Sequence, residues 1–145
     1  MFLDASAVVA VLTREEEAGV LLAKITDSRE PIHYSSVTMF EAAIGISRKT
    51  AISLYGDQRP TPPELIAQAQ QDVEEFMRSI GAGEATFSPG LHGAALEAAR
   101  IYGRFVGHPA KLNFGDCFSY AAAKTLRSPL LFVGNDFSRT DIEVA

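Results

Sequence analysis

Four acidic residues carry the clearest chemical signal in the chain: Asp4, Glu41, Asp116 and Asp136, each set beside apolar sequence. An isolated ionised carboxylate in such surroundings is costly, and proteins avoid the cost by pairing, protonation or metal binding. Four in one chain point to a divalent cation. Carboxylate oxygens suit hard ions such as Mg²⁺ or Mn²⁺, and Mg²⁺ characteristically keeps several waters while using one or two protein carboxylates and substrate phosphate oxygens. An ion held in that way can activate water near neutral pH and offset charge building on a phosphodiester. Ser6, two residues beyond Asp4, is placed to orient a carboxylate from behind, and Asn135 beside Asp136 to do the same. Metal-dependent phosphodiester cleavage is the simplest chemistry for this set. Each acid also has a plainer reading. Asp4 and Ser6 can cap a helix, Glu41 can be a solvated edge residue, Asp116 can complement a helix dipole, and Asp136 can belong to a turn.

Those acids need elements to bring them together. Phe2-Leu3 reads as a strand ending at Asp4, and Ser6 as the cap of a helix through Leu12. Thr13-Arg14-Glu15-Glu16 has capping-box spacing and is expected to open a second helix ending near Asp27. Ile32-His33-Tyr34 reads as a strand, with Ser35-Ser36 capping a helix whose stripe is Val37, Phe40 and Ile44; Glu41 falls on that apolar side. Residues 52–63 read as irregular. Thr61-Pro62-Pro63-Glu64 is a second capping box, followed by a strongly periodic helix through Ile80. Ala85-Thr86-Phe87 reads as a third strand, and Ser88-Pro89 as the start of a helix closed by Gly103. Asn113 or Gly115 begins an Ala-rich helix to about Leu126. Pro129–Val133 is a buried strand, Gly134-Asn135-Asp136 a turn, and Ile142–Val144 a final edge strand.

Strands alternating with helices imply an α/β fold with a mostly parallel sheet of about four to five strands flanked by helices. Ligands of such sheets bind beyond the carboxyl ends of the strands, and all four acids can reach that edge.

The 145 residues are expected to form one domain spanning 1–145, with 47% hydrophobic and 21% charged residues. The lone Cys117 cannot form an internal disulfide and fits a reducing cytoplasm, and it reads as a small buried side chain. No signal peptide and no membrane-spanning run is expected. His33, His92 and His108 lack metal-ligand spacing. The net charge of −5 weighs against a nucleic-acid partner, yet the acids supply much of it, and one or two bound Mg²⁺ would move it to roughly −3 or −1.

The stretches Lys111-Leu112-Asn113-Phe114-Gly115-Asp116-Cys117-Phe118-Ser119-Tyr120-Ala121 and Pro129-Leu130-Leu131-Phe132-Val133-Gly134-Asn135-Asp136-Phe137, with Thr140-Asp141-Ile142, resemble the signature of PIN-domain VapC toxins. Phe2-Leu3-Asp4-Ala5-Ser6-Ala7 and Ser35–Glu41 fit the same family's amino-terminal acids. The resemblance covers nearly the whole chain. It implies a PIN-like three-layer fold and a Mg²⁺- or Mn²⁺-dependent endoribonuclease, the toxin of a type II toxin–antitoxin system. Asp4 and Asp116 would be its direct metal ligands, with Glu41 and Asp136 completing the catalytic acids and Ser6 supporting them. It also implies a VapB-type antitoxin as partner and a homodimer. The segment Thr50–Pro63 departs from the family in being longer and more irregular. RNA contact needs cations, for which Arg14, Arg48, Lys49, Arg104, Lys111 and Arg139 are the candidates. Rival readings are a haloacid-dehalogenase-like phosphatase with Asp4 as nucleophile, a receiver-like Mg²⁺-binding module, and an inactive PIN scaffold that only binds a partner. The phosphatase wants a second acid where this chain has Ser6, the receiver wants paired acids and a late lysine, and the inactive scaffold usually lacks an acid.

Overall fold

The computed structural model describes residues 1–145. Its elements run β1 (Phe2–Leu3), α1 (Ala5–Leu12), α2 (Ala18–Thr26), β2 (His33–Tyr34), α3 (Ser36–Tyr55), α4 (Pro63–Ser79), β3 (Gly83–Glu84), α5 (Leu91–Tyr102), α6 (Phe114–Leu126) and β4 (Leu130–Leu131). Short 3₁₀ turns cover Arg104–Val106 and Phe137–Arg139. The four strands form one parallel sheet in the order β3-β2-β1-β4, and Val144 adds a parallel bridge to Leu130 at the outer edge.

Side chains of a strand alternate between its faces, and β1 shows the result in two residues. Leu3, beside Leu131, packs into a core made with α1, α2, α3 and α4. Phe2, beside Leu130, packs into a second core made with α5 and α6. Both β1 residues are fully buried. The result is three layers, with the central strand fixed from both sides and Asp4 at its carboxyl end.

Several local expectations are revised. Asp4, not Ser6, caps α1, through a bond from the Ser6 amide. The second helix begins at Ala18 rather than Thr13, because the Thr13 hydroxyl turns back to the Val9 carbonyl and closes α1. Thr61 caps nothing; Pro62 precedes α4, and Pro63 takes its first position. Residues 52–55 continue α3, so the irregular stretch is confined to 56–62. The third strand lies at Gly83–Glu84, two residues early, where Gly83 and Ala85 amides bond to the carbonyls of Ile32 and Tyr34.

The apolar stripe expected on α3 faces outward. Phe40 and Ile44 are exposed, and the buried residues are Thr38, Ala42, Ala43, Ile46, Ser47 and Ala51. Small side chains let α3 pack closely between α1 and α4, and the larger ones are left at the rim. No helix is long and apolar enough to cross a membrane.

Candidate active site

The carboxyl edge of the sheet gathers the acids. Asp4 leaves β1 in extended conformation and is buried at 4% exposure. Its Oδ2 accepts from the Ser6 amide at 2.9 Å and the Ser6 hydroxyl at 2.6 Å. The same hydroxyl oxygen accepts from the Val133 amide at 3.0 Å, tying the end of β1 to the chain leaving β4. Asp4 Oδ1 has no partner, the one buried side-chain polar atom in that condition.

Glu41 is set by the start of α3. Ser35 and Thr38 form a reciprocal cap, and the Thr38 hydroxyl donates to the Leu3 carbonyl at 3.2 Å. The first turn of α3 is thereby held against the end of β1, and Glu41, three residues on, reaches the edge. Its carboxylate lies directly against Gly115, whose absent Cβ would fall 2.0 Å from both Glu41 oxygens. Gly115 thus gives the acid its place between α3 and α6.

Asp116 is held by a second reciprocal cap. Asn113 Oδ1 accepts from the Asp116 amide at 3.1 Å, and Asp116 Oδ2 accepts from the Asn113 amide at 2.7 Å. Asp116 is 9% exposed. Asp136 follows β4 and stays exposed at the start of a 3₁₀ turn.

A cavity of about 350 Å³ joins Asp4, Ser6, Glu41, Asn113, Asp116 and Asp136, with Glu15 on its wall. The crowding shows in the acidities. Glu41 is pushed up to about 7, first by burial and then by the charges of Asp4 and Asp116. Burial likewise raises Asp116 to about 6 against the opposing bond from Asn113, with Asp4 and Asp136 adding repulsion and Arg104 easing it. Glu15 behaves oppositely: Lys49 hydrogen-bonds its carboxyl and holds it below the usual range.

As they stand, the side chains form no group of three or more able to grip a metal ion between them. A Mg²⁺-type ion needs only one or two protein carboxylates. An orphaned oxygen on Asp4, a neighbouring buried Asp116, and two acids whose ionisation is opposed by their surroundings all fit such an ion.

The remaining candidates divide. Asn135 is exposed and absent from the cavity wall; only its carbonyl is engaged, by the Ser138 hydroxyl. Arg48 spends its guanidinium on the carbonyls of Asp57 and Arg59, both at 2.8 Å, closing the loop between α3 and α4. Arg14, Lys111 and Arg139 are exposed, and none makes an ion pair. Glu15 and Asn113 also enter the cavity, although from sequence Asn113 reads only as a helix start and Glu15 only as an intervening residue of the Thr13–Glu16 capping-box spacing. Only Asn113 carries an advance signal, its place three residues before Asp116.

A larger hollow of about 500 Å³ lies between α5 and α6. It is almost wholly apolar, and Cys117 forms part of its wall. Burial and the charge of Asp116 push that thiol up to about 11, so it is no nucleophile at neutral pH.

A parallel three-layer sheet with an acidic cavity at its carboxyl edge is the arrangement of a nuclease-type α/β domain, and residues 1–143 match the PIN domain family. The chain belongs to that family, and within it to the VapC ribonucleases. It is 37% identical over 141 residues to a VapC ribonuclease of Rhizobium meliloti, covering 97% of this chain and 98% of that one. It is 34% identical to ribonuclease VapC42 of Mycobacterium tuberculosis over 145 residues, 100% of this chain and 98% of that one. In fold it is similar to the crystal structure of Mycobacterium tuberculosis VapC20, a sarcin-ricin loop cleaving toxin. The TM-score is 0.66 and the identity 14%, over 99% of this chain and 97% of that one. The expected PIN-like fold and family therefore hold, and the phosphatase and receiver readings fall away.

Proposed function

We propose that the protein is the ribonuclease toxin of a toxin–antitoxin pair, cutting RNA with a divalent cation, Mg²⁺ or Mn²⁺, at the acidic cavity. The observation that carries the cation is Asp4 Oδ1, a buried carboxylate oxygen without a partner facing other acids. Asp4 and Asp116 would hold the ion directly, and Glu41 and Asp136 would complete the site. A cation bound there supplies Lewis acidity and offsets the negative charge of the reacting phosphodiester.

The chain's own residues do the rest. Ser6 fixes the Asp4 carboxylate from behind, and Asn113 fixes Asp116 through its backbone amide. Glu41, seated against Gly115 on the cavity wall, is placed to accept a proton from the attacking water. Asp136, at the open side of the cavity, faces the incoming substrate. Membership of the VapC ribonucleases supports a VapB-type antitoxin as partner and a homodimer as the working assembly. The lack of any membrane-crossing helix accords with action in the cytoplasm. The inactive-scaffold reading has no observation in its favour, since all four acids are present at the expected edge.

The test is cleavage of a structured RNA by the purified chain, with and without Mg²⁺ or Mn²⁺. Cleavage that needs the metal and is lost in Asp4→Ala and Asp116→Ala is the expected result. Activity indifferent to metal, or surviving both substitutions, refutes the assignment. Induced expression in a bacterial host should arrest growth; unaffected growth would remove the toxin role alone.

A further inference from the structure

Beside the acidic cavity lies a second hollow of about 220 Å³, lined by Ser36, Val37, Phe40, Glu41 and Phe114. Glu41 lines both, so the two spaces adjoin on either side of one catalytic side chain. Phe40 stands immediately before Glu41, and Phe114 two residues before Asp116. Their exposures are 68% and 64%, so neither ring is demanded by the core. Phe114 is nonetheless steadied: its ring lies 4.9 Å from that of Phe118, which stacks on Phe87 at 5.7 Å. Two aromatic faces thus flank the mouth of the acidic site, one on α3 and one at the first turn of α6.

We propose that Phe40 and Phe114 form a base-stacking subsite that holds an unpaired nucleobase of the RNA beside the scissile phosphodiester. The inference rests on the ribonuclease reading above. A phosphodiester placed among Asp4, Glu41 and Asp116 leaves its neighbouring nucleotide at the hollow that shares Glu41. Of the candidate cations only Arg14, Arg104, Lys111 and Arg139 are free to meet phosphate, so electrostatic attraction for RNA is limited. The chain carries a net charge of −5, Lys49 is committed to Glu15, and Arg48 is committed to loop carbonyls. Stacking on an aromatic face supplies affinity without positive charge and tolerates any base. It also requires an unstacked base, so the subsite selects loops and bulges over continuous duplex.

The test uses a hairpin RNA that the wild-type protein cuts in its loop, and steady-state kinetics with Mg²⁺ or Mn²⁺. Phe40→Ala and Phe114→Ala should each raise KM by roughly 10- to 100-fold with kcat changed far less. Phe→Tyr at either position should restore KM, whereas Phe→Leu, which keeps apolar bulk without a π-face, should not. One abasic nucleotide next to the cut should raise the wild-type KM by a similar factor and add nothing in the Ala variants. Because both side chains are exposed, thermal melts should stay close to wild type, with Phe114→Ala lowered by no more than the loss of its ring pair with Phe118. Wild-type KM in both Ala variants, together with weakened self-association, would mark this face as a protein interface and overturn the proposal. Wild-type KM with unchanged self-association overturns it as well. A wild-type protein that cuts no RNA refutes the ribonuclease reading, and this subsite with it, so the two failures are separable.

Discussion

Gly115→Ala isolates the placement of Glu41 from its chemistry. The added Cβ would fall 2.0 Å from both carboxylate oxygens, inside the 3.0 Å limit and well short of ordinary contact at 3.4 Å, so the carboxylate must retreat by at least 1.0 Å and by 1.4 Å to sit comfortably. The obstructing atoms are the end of a flexible side chain, not backbone, so Glu41 can swing aside without unfolding α6. Moving it relieves its burial and its repulsion by Asp4 and Asp116, and its acidity should return toward the ordinary carboxylate range. Stability should therefore change by less than about 1 kcal/mol. Catalysis should fall by about 100-fold, the scale on which a misplacement near 1 Å acts. The assay pairs RNA cleavage with a thermal melt, and Glu41→Gln serves as the reference for loss of the acid in place. Wild-type kcat in Gly115→Ala, or a melt lowered as in a core defect, would refute the argument that Gly115 exists to seat Glu41.

Three further outcomes follow from the same geometry. Glu41 and Asp116 titrate near 7 and 6 in the folded, metal-free protein, so between about pH 4 and 7 the folded state holds more protons than the unfolded one. That contribution to stability is complete below the ordinary carboxylate range and is lost as pH rises through 6 to 7. Mn²⁺ should accordingly raise Tm more at pH 8 than at pH 5, and a pH-independent shift would contradict it. Asp4→Asn keeps an acceptor for the Ser6 amide and removes the orphaned charge; cleavage should fall at least 100-fold while the metal-free Tm holds or rises, whereas Asp4→Ala also loses the cap, costing about 1 kcal/mol. Ser6→Ala keeps the amide bond to Asp4 but removes the hydroxyl bond and leaves the Val133 amide without its acceptor, so Tm should drop by an amount equivalent to about 1–3 kcal/mol and kcat should fall with it; an unchanged kcat would remove the Ser6 hydroxyl from the support of the site.

Much of this arrangement was legible in one dimension because the signals were local. Strand ends, helix periodicity and Asn113 before Asp116 are written within a few residues, and parallel connectivity then sends every strand's carboxyl end to one edge. What eluded the sequence depends on which helix packs against which. The stripe of Val37, Phe40 and Ile44 has helical spacing, yet α3 meets α1 and α4 through Thr38, Ala42, Ile46 and Ala51. Periodicity identifies a face without saying whether the core or a ligand covers it. The competing principle was close packing: small residues permit near approach, and the bulky ones were surplus to the core. Glu41 was likewise placed on the right side for the wrong reason. It sits with the apolar residues because that side is the rim of the site, half-buried against Gly115 rather than sunk among hydrophobic neighbours. A glycine three helices further along the chain, read as a helix start, proves to be the residue that admits the acid. The exposed aromatic rings and the seated carboxylate are then one feature: α3 turns its less buried face to the cavity, and what a core would have hidden is left available to substrate.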